Sequence, residues 1–134
     1  MNSLTPQAKT WLEMAENDFD FAGDILRRGQ RPFYAAHFCH QAVEKLLKAI
    51  VQERSGDTPP RTHNFKLLGK AAGLRLNERM EEILFSLAPH YLGTRYPEDI
   101  QKLYRRYTRE YVTDLFSRTE ELFEWLKEQL TSSV

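Results

Sequence analysis

One segment of the sequence places four different polar side chains in a line along a predicted helix. His37, Gln41, Glu44 and Lys48 follow one another at steps of three and four residues, so they share one edge of an α-helix. Together they supply an imidazole that carries protons, an amide that forms hydrogen bonds, and one charged group of each sign. Such an edge is expected to face a second subunit, another charged segment of the chain, or a ligand.

The polar line borders a face of the same helix that is predicted to be buried. Apolar residues recur there at the spacing of an amphipathic helix. They are Ala36, Cys39, Val43, Leu46, Leu47 and Ile50. The cysteine has no charged neighbour that would activate it, so a packed thiol is predicted rather than a nucleophile.

The sequence gives little support for a metal or a cofactor. His37 and His40 are three positions apart and would share a metal ion only if other segments supplied further ligands. There is no pair of cysteines, no glycine-rich phosphate loop and no serine-based triad pattern. We therefore predict no metal site and no bound cofactor, and expect these two histidines to lie in the core or in an interface.

Helix signals cover most of the chain, and strand signals are nearly absent. The predicted helices run from about Thr5 to Gly29, Pro32 to Arg54, Asn64 to Ala72, Asn77 to Leu87, Asp99 to Arg106, and Arg109 to Leu130. Turn residues that end in two prolines separate the second helix from the third. The predicted fold is all-α: an up-and-down helical bundle with three long helices plus shorter helices, forming one domain over residues 1–134.

One carboxylate lies within the predicted buried arc of the first helix. Asp18 follows the apolar Ala15 and precedes the apolar Phe19 and Ala22. Because a charge near the core needs a partner, we expect Asp18 to accept a hydrogen bond from a lysine or a backbone donor of the neighbouring helix. The candidate lysines are Lys45 and Lys48.

Composition excludes several classes of protein. The 134 residues contain 19 Lys+Arg and 19 Asp+Glu, so the formal net charge is zero, whereas a dedicated duplex-DNA binder usually carries a basic excess. The single cysteine cannot form an internal disulfide, which is typical of a reducing compartment. No apolar run approaches the roughly 20 residues of a membrane span, and there is no signal-peptide core. We expect a cytoplasmic protein with no membrane partner.

Several segments resemble HEPN domains, in the same order along the chain. They are WLEMAENDFDFA from Trp11, AAHFCHQAVEKLLKA from Ala35, the pair Thr62 and His63, YLGTRYP ending at Pro97, and EELFEWLKEQL from Glu120. HEPN domains are small helical domains of prokaryotes that also occur at the C-terminus of the eukaryotic protein sacsin. The resemblance implies a helical bundle that commonly forms homodimers. It also implies a minimal nucleotidyltransferase as partner, in an arrangement proposed to be a toxin–antitoxin or nucleotide-handling module.

The HEPN family contains two functional kinds of domain, ribonucleases and domains without that activity, and the sequence distinguishes between them here. HEPN ribonucleases use an arginine followed within a few residues by a histidine in a late helix, where histidine moves the 2′-hydroxyl proton and arginine stabilises the developing charge. No histidine follows Arg95 or any later arginine of this chain. Arg31 and His37 have a suitable spacing, but they lie at the start of the second helix. We expect no catalytic centre, and a metal-independent endoribonuclease using Arg31 and His37 stays as the alternative.

The polar line together with Arg95 forms the candidate binding site. In one interpretation Glu44 orients Arg95. Arg95, Lys48 and His63 then form a cleft for an anion such as a nucleotide phosphate. Tyr96 and Tyr91 are the candidates to stack on a base. In the other interpretation Glu44 and Arg95 form a partly buried ion pair that attaches the RYP segment to the second helix, and His63 caps the third helix or bonds a nearby carbonyl. Both interpretations pair Glu44 with Arg95, because a buried charge needs a partner.

A basic stretch late in the chain alternates with tyrosines. Its members are Arg95, Tyr96, Lys102, Tyr104, Arg105, Arg106, Tyr107, Arg109 and Tyr111. Basic and aromatic residues in alternation would hold RNA by phosphate contact and stacking. The helical spacing of the last three tyrosines equally predicts a packed helix face.

The sequence therefore predicts a HEPN-type binding module for a nucleotide or RNA, with a toxin–antitoxin-like role beside a minimal nucleotidyltransferase. A purely structural dimerisation module is a further alternative. The candidate ligand-binding residues are His37, Gln41, Glu44, Lys48, His63, Arg95 and Tyr96.

Overall fold

The fold is all-α, as predicted. The computed structural model describes residues 3–90 and 97–133, apart from the side chains at positions 97, 98, 100, 103 and 104. These residues form α1 (Pro6–Arg28), α2 (Pro32–Ser55), α3 (Phe65–Ala71), α4 (Glu78–Leu87), a 3-10 turn (Ala88–His90), α5 (Pro97–Arg106) and α6 (Arg109–Thr131). The described ranges contain no strand, and no helix in them is long and apolar enough to cross a membrane. The predicted three long helices are α1, α2 and α6.

The helix ends follow from the residues at their caps. Thr5 accepts a hydrogen bond from a backbone N–H in the first turn of α1, and Pro6 is the first helical residue. Gly29 ends α1 with a φ of 72°, a backbone conformation that glycine adopts at little cost. Asn64 and Asn77 cap α3 and α4 through their side-chain oxygens. The predicted helix boundaries are confirmed to within a few residues. They could be predicted because caps and turn residues are local signals.

α2 lies at the centre of the bundle and packs against α1, α6 and α3. Its predicted apolar face is buried in full. α1 and α2 are antiparallel neighbours because only three residues join them. On the other side of α1, Phe19 stacks on two rings of α6, Phe116 and Phe123, with centroid separations of 4.7 and 4.9 Å.

Alanines determine how closely α1 and α2 approach each other. Each helix carries a fully buried alanine at every seventh position, and the two series run in opposite directions along the antiparallel seam. They are Ala8, Ala15 and Ala22 in α1, and Ala35, Ala42 and Ala49 in α2. A methyl side chain lets two backbones come close together, so the polar side chains at the edges of this seam on one helix can reach the other.

The two connections that follow α2 and α4 return to α2. After Gly56, whose φ is 76°, the predicted diproline loop buries Pro59 and leads to His63 just before α3. After α4, the 3-10 turn packs His90 against α2. Both connections therefore place a histidine against the central helix, α2.

Candidate functional site

The carboxylate of Glu44 is the centre of the polar line. Only 5% of its side chain is exposed, and each oxygen has a basic partner. Oε1 lies 2.7 Å from Nδ1 of His63, and Oε2 lies 3.1 Å from Nζ of Lys48. A buried carboxylate is tolerated only when such partners replace its water shell. Three of the predicted ligand-binding residues are thus in direct contact.

Lys48 is held in place by two groups. It follows Glu44 by one helical turn, and its ammonium also lies 5.5 Å from the centre of the Trp11 ring of α1. A cation over an aromatic face is stabilised by the ring quadrupole. The contact of Trp11 with Lys48 depends on the antiparallel seam rather than on any local sequence pattern.

His63 is the exposed member of this cluster. About 52% of its side chain is accessible, while the carboxylate that it contacts is buried. Asn64, rather than His63, provides the side-chain cap of α3. The contact with Glu44 fixes the orientation of the imidazole and presents its edge to solvent.

A second ion pair lies at the same α1–α2 edge. Lys45 Nζ donates to Asp18 Oδ2 at 2.5 Å, and both side chains are mostly buried. The prediction that Asp18 accepts from a lysine of the neighbouring helix is confirmed. This pair explains how a carboxylate fits within the apolar arc of α1.

His37 and Gln41 occupy the start of the polar line. The His37 ring bonds the backbone carbonyl of His90. Burial lowers the pKa of His37, while the His90 carbonyl and the charges of Asp18 and Glu44 partly offset this. Oε1 of Gln41 is buried and accepts no hydrogen bond from the described residues. Within the described part of the chain, the polar line therefore contains one buried oxygen atom that accepts no hydrogen bond.

The other two histidines are buried close to the polar line. His40 is fully buried and stacks on Phe65 at 4.4 Å, and burial, together with the nearby histidines, lowers its pKa to about 3. His90 bonds the hydroxyls of Tyr107 and Tyr111, and burial lowers its pKa to about 4. The histidine pair considered for metal binding thus has one member stacked in the core. The described ranges contain no group of three or more potential metal ligands.

Cys39 is a packed thiol, as predicted. It is fully buried, and burial raises its pKa to about 12 despite a hydrogen bond with Thr119. A thiol with this pKa holds almost no thiolate at neutral pH, so it is not a nucleophile.

The two residues of the alternative ribonuclease pair face different surroundings. Arg31 is exposed at the N-terminal cap of α2, whereas His37 bonds the carbonyl of His90. The different surroundings of the two side chains do not favour joint action on one phosphate.

Arg95 and Tyr96 lie outside the described residues, as does Tyr91. The pairing of Glu44 with Arg95 therefore stays a prediction. The chain enters this segment from His90, whose carbonyl is bonded to the first residue of the polar line. Within the described ranges, Glu44 already has two basic partners.

The basic stretch with tyrosines is only partly available for stacking. Tyr107 is buried and bonds His90, so the prediction of a packed face applies to this ring. Tyr111 is 40% exposed and also contacts His90. RNA stacking along the whole stretch is therefore not supported by the positions of these two rings.

Replacing Glu44 by alanine is expected to lower the free energy of unfolding by about 3 kcal/mol, because the Lys48 ammonium would stay buried without its carboxylate. Urea denaturation at pH 7 measures the change. Glu121→Ala is the control, since its exposed pair with Arg79 at 2.9 Å is expected to contribute less than about 1 kcal/mol. Equal losses in both variants would contradict a buried, mutually dependent cluster.

Stability is expected to fall as the pH drops from 6.5 to 5. In the folded chain the pKa values of His40 and His90 are lowered to about 3 and about 4, whereas both groups titrate near 6.5 when unfolded. The unfolded state then binds more protons, so each histidine removes up to about 1.4 kcal/mol per pH unit in this window. Urea denaturation at several pH values should give a shallower dependence for His40→Gln and for His90→Gln, and an unchanged one for Phe85→Ala. A wild-type stability that is constant across the window would contradict this assignment.

Comparisons with known proteins agree with this architecture. The family model for the HEPN domain matches residues 8–129. None of the curated proteins compared with the chain matches it. The crystal structure of TT1696 from Thermus thermophilus is similar, with a TM-score of 0.76, 25% identity, and coverage of 93% of this chain and 99% of that one. ST0689, an archaeal HEPN homologue, shares the fold with a TM-score of 0.70 at 18% identity, over 94% of this chain and 99% of that one. The resemblance found in the sequence is thus confirmed, and the chain belongs to the HEPN domain family.

Proposed function

We propose that this HEPN domain is a non-catalytic module that binds the phosphate of a nucleotide or of an RNA end beside Glu44, Lys48 and His63. In this proposal Arg95 and Tyr96 complete the site, with the guanidinium on the phosphate and the ring on the base. His37 and Gln41 extend the polar edge along α2. The module works with a minimal nucleotidyltransferase in a toxin–antitoxin-like pair.

The proposal rests on the two basic side chains, Lys48 and His63, that contact the Glu44 carboxylate. Its Oε2 lies 3.1 Å from Nζ of the buried Lys48, and its Oε1 lies 2.7 Å from Nδ1 of the half-exposed His63. Basic groups that are already ordered lose little side-chain entropy when an anion arrives. Because Lys48 balances the buried carboxylate, an added guanidinium would give the site a net positive charge toward phosphate.

The same geometry favours binding over catalysis. His37 bonds a backbone carbonyl, and its pKa is lowered by burial. Arg31 is exposed at the N-terminal cap of α2. A ribonuclease needs its arginine and histidine to converge on one phosphate.

Nucleotide binding is tested by calorimetry and thermal unfolding with ATP, AMP and inorganic phosphate. At a ligand concentration one hundred times the Kd, bound nucleotide should stabilise the domain by about 2.7 kcal/mol. His63→Ala and Arg95→Ala should each weaken binding about tenfold. Arg95→Ala removes a guanidinium donor, and His63→Ala removes the ring whose doubly protonated form donates through Nε2 to the phosphate while Nδ1 stays on Glu44. Lys66→Ala, an exposed cation three positions after His63, is the control and should bind as wild type.

Two results would contradict the proposal. One is the absence of any stabilisation at millimolar nucleotide. The other is cleavage of RNA that is lost in His37→Ala, which would establish the ribonuclease instead.

The partner proposal rests on membership of the HEPN family. We expect the domain to be a homodimer with twice the 15.8 kDa mass of the chain in light scattering. Co-expression with a minimal nucleotidyltransferase encoded beside its gene should give one co-eluting complex. Separate elution of the two proteins at micromolar concentration would contradict the partnership.

A further inference from the structure

A pocket lies between α1 and α2 beside the turn that joins them. Its volume is about 290 Å³, and its lining residues come from these two helices and their connection. Arg31 at its rim lies about 20 Å from Glu44 along the axis of α2, so the pocket is separate from the Glu44 cluster. The main lining residues are Phe21, Ile25, Arg28, Arg31, Tyr34 and Phe38.

The aromatic and the charged residues of the pocket lie at its opposite ends. Phe21 of α1 and Phe38 of α2 meet edge to face, with ring centroids 4.8 Å apart. Arg28 follows Phe21 by two helical turns, and Arg31 precedes Phe38 by two turns, because the helices are antiparallel. Two turns span about 11 Å. The pocket therefore runs from a pair of rings in the body of the bundle to a pair of guanidinium groups at the turn.

Part of the aromatic surface of the pocket is accessible to solvent. Phe21 is 45% exposed, and Tyr34, one turn before Phe38, is 40% exposed. Sites for small molecules are concave, lined mainly by apolar and aromatic side chains, and contain a few polar groups that orient the ligand. The rings and the two arginines of this pocket match that description.

The two guanidinium groups have no counter-charge within the described part of the chain. Arg28 and Arg31 are exposed and form no salt bridge with a described residue, whereas the neighbouring Arg27 pairs with Asp24. No acidic residue is among the described residues that line the pocket. A guanidinium binds a carboxylate through two parallel hydrogen bonds, so a ligand carboxylate would balance the charge at this end.

The turn itself does not require an arginine at position 31. The φ of Arg31 is 49°, the one positive value among the described residues other than glycine. A residue with a side chain adopts this left-handed conformation at a cost that glycine avoids. The side chain of Arg31 also caps no N–H group of α2. An anion bound at the rim would account for an arginine that neither the backbone nor the cap explains.

We propose that this pocket binds a small aromatic carboxylate, in which a short apolar linker joins a flat ring to the acid group. The ring packs on Phe21 and Tyr34, and the carboxylate accepts hydrogen bonds from Arg28 and Arg31. Aromatic pairs contribute more than their buried area in offset-stacked and edge-to-face geometries, so an aromatic ring is favoured over an alkyl chain of the same length.

The middle of the pocket determines what the linker can be. Ile25 lies between Phe21 and Arg28 on the same face of α1 and lines the pocket. A nucleotide would place its ribose hydroxyls against this apolar side chain, where they would lack hydrogen-bond partners. A methylene linker has no such cost.

A second copy of the chain is also a poor occupant. A symmetric contact through this patch would bring the guanidinium groups of both copies together with no carboxylate between them. A nucleotide and an alkyl carboxylate are therefore the competing occupants that the test must separate from an aromatic carboxylate.

The ligand class is tested by isothermal titration calorimetry of the full chain with naphthylacetate. Naphthylacetamide has the same ring and linker but no charge, and it should bind at least tenfold more weakly because it cannot form charge-assisted hydrogen bonds with the two arginines. Decanoate keeps the charge but has no ring, and it should bind about fivefold more weakly.

The location of the site is tested with two ring variants. Phe21→Ala and Tyr34→Ala should each weaken naphthylacetate binding about tenfold, because each removes one aromatic contact and the apolar area beneath the ligand ring. Phe85→Ala is the matched control and should bind as wild type, since Phe85 is also 45% exposed but lies on α4, outside this pocket.

Arg31→Gly separates a role in binding from a role in folding. Because glycine adopts the positive φ readily, this variant should keep or raise the melting temperature while it weakens naphthylacetate binding about tenfold. Arg75→Gly changes an exposed loop arginine outside the pocket and should leave the affinity unchanged.

Four results would overturn the proposal: no binding at millimolar naphthylacetate, equal binding of naphthylacetamide or decanoate, wild-type affinity in both ring variants, or an equal loss in Phe85→Ala. Displacement of naphthylacetate by a lower concentration of AMP would assign the pocket to a nucleotide instead. Failure of the Glu44 site is distinguishable, because His63→Ala should leave naphthylacetate binding unchanged and Phe21→Ala should leave stabilisation by AMP unchanged.

Discussion

The buried carboxylate of Glu44 is the constraint on which the arrangement of the polar edge depends. An ionised group with 5% of its side chain exposed cannot remain in the bundle without basic partners. One partner, Lys48, comes from the next turn of the same helix, and the other, His63, comes from the loop before α3. The position of that loop, and with it the start of α3, is therefore linked to the middle of α2.

The alanine seam between α1 and α2 makes this polar edge possible. Because the two backbones can approach closely, side chains at the margin of the seam span from one helix to the other. Lys45 reaches Asp18, and Lys48 reaches the ring of Trp11. Charged groups at this margin are thus held by contacts from both helices. A ligand that approaches the edge would meet ordered groups rather than mobile ones, which is the physical basis for proposing a binding site there.

Local signals predicted much of the fold, and contacts between distant segments were the main limit. The caps at Thr5 and Gly29 and the apolar face of α2 were predictable, because each depends on residues within one or two turns. The partner of Asp18 was predictable as a lysine of the next helix. The contacts of Arg54 were not predictable. Its guanidinium donates hydrogen bonds to the carbonyls of Ala72, Gly73 and Gln129 and to the hydroxyl of Ser133. Backbone carbonyls carry no sequence signal, so such a link between α2, α3 and α6 emerges only from the packing.

Side-chain NMR with ¹⁵N-labelled histidine tests whether the Glu44 carboxylate orients the imidazole of His63. The contact of 2.7 Å with Nδ1 requires that, in the neutral ring, the proton is on Nδ1 and is donated to the carboxylate. We expect the nitrogen shifts of His63 to report this tautomer in the wild type and to move toward the Nε2–H form in Glu44→Ala. A His63 ring that is mainly the Nε2–H tautomer in the wild type, or that is unchanged in the variant, would contradict the account.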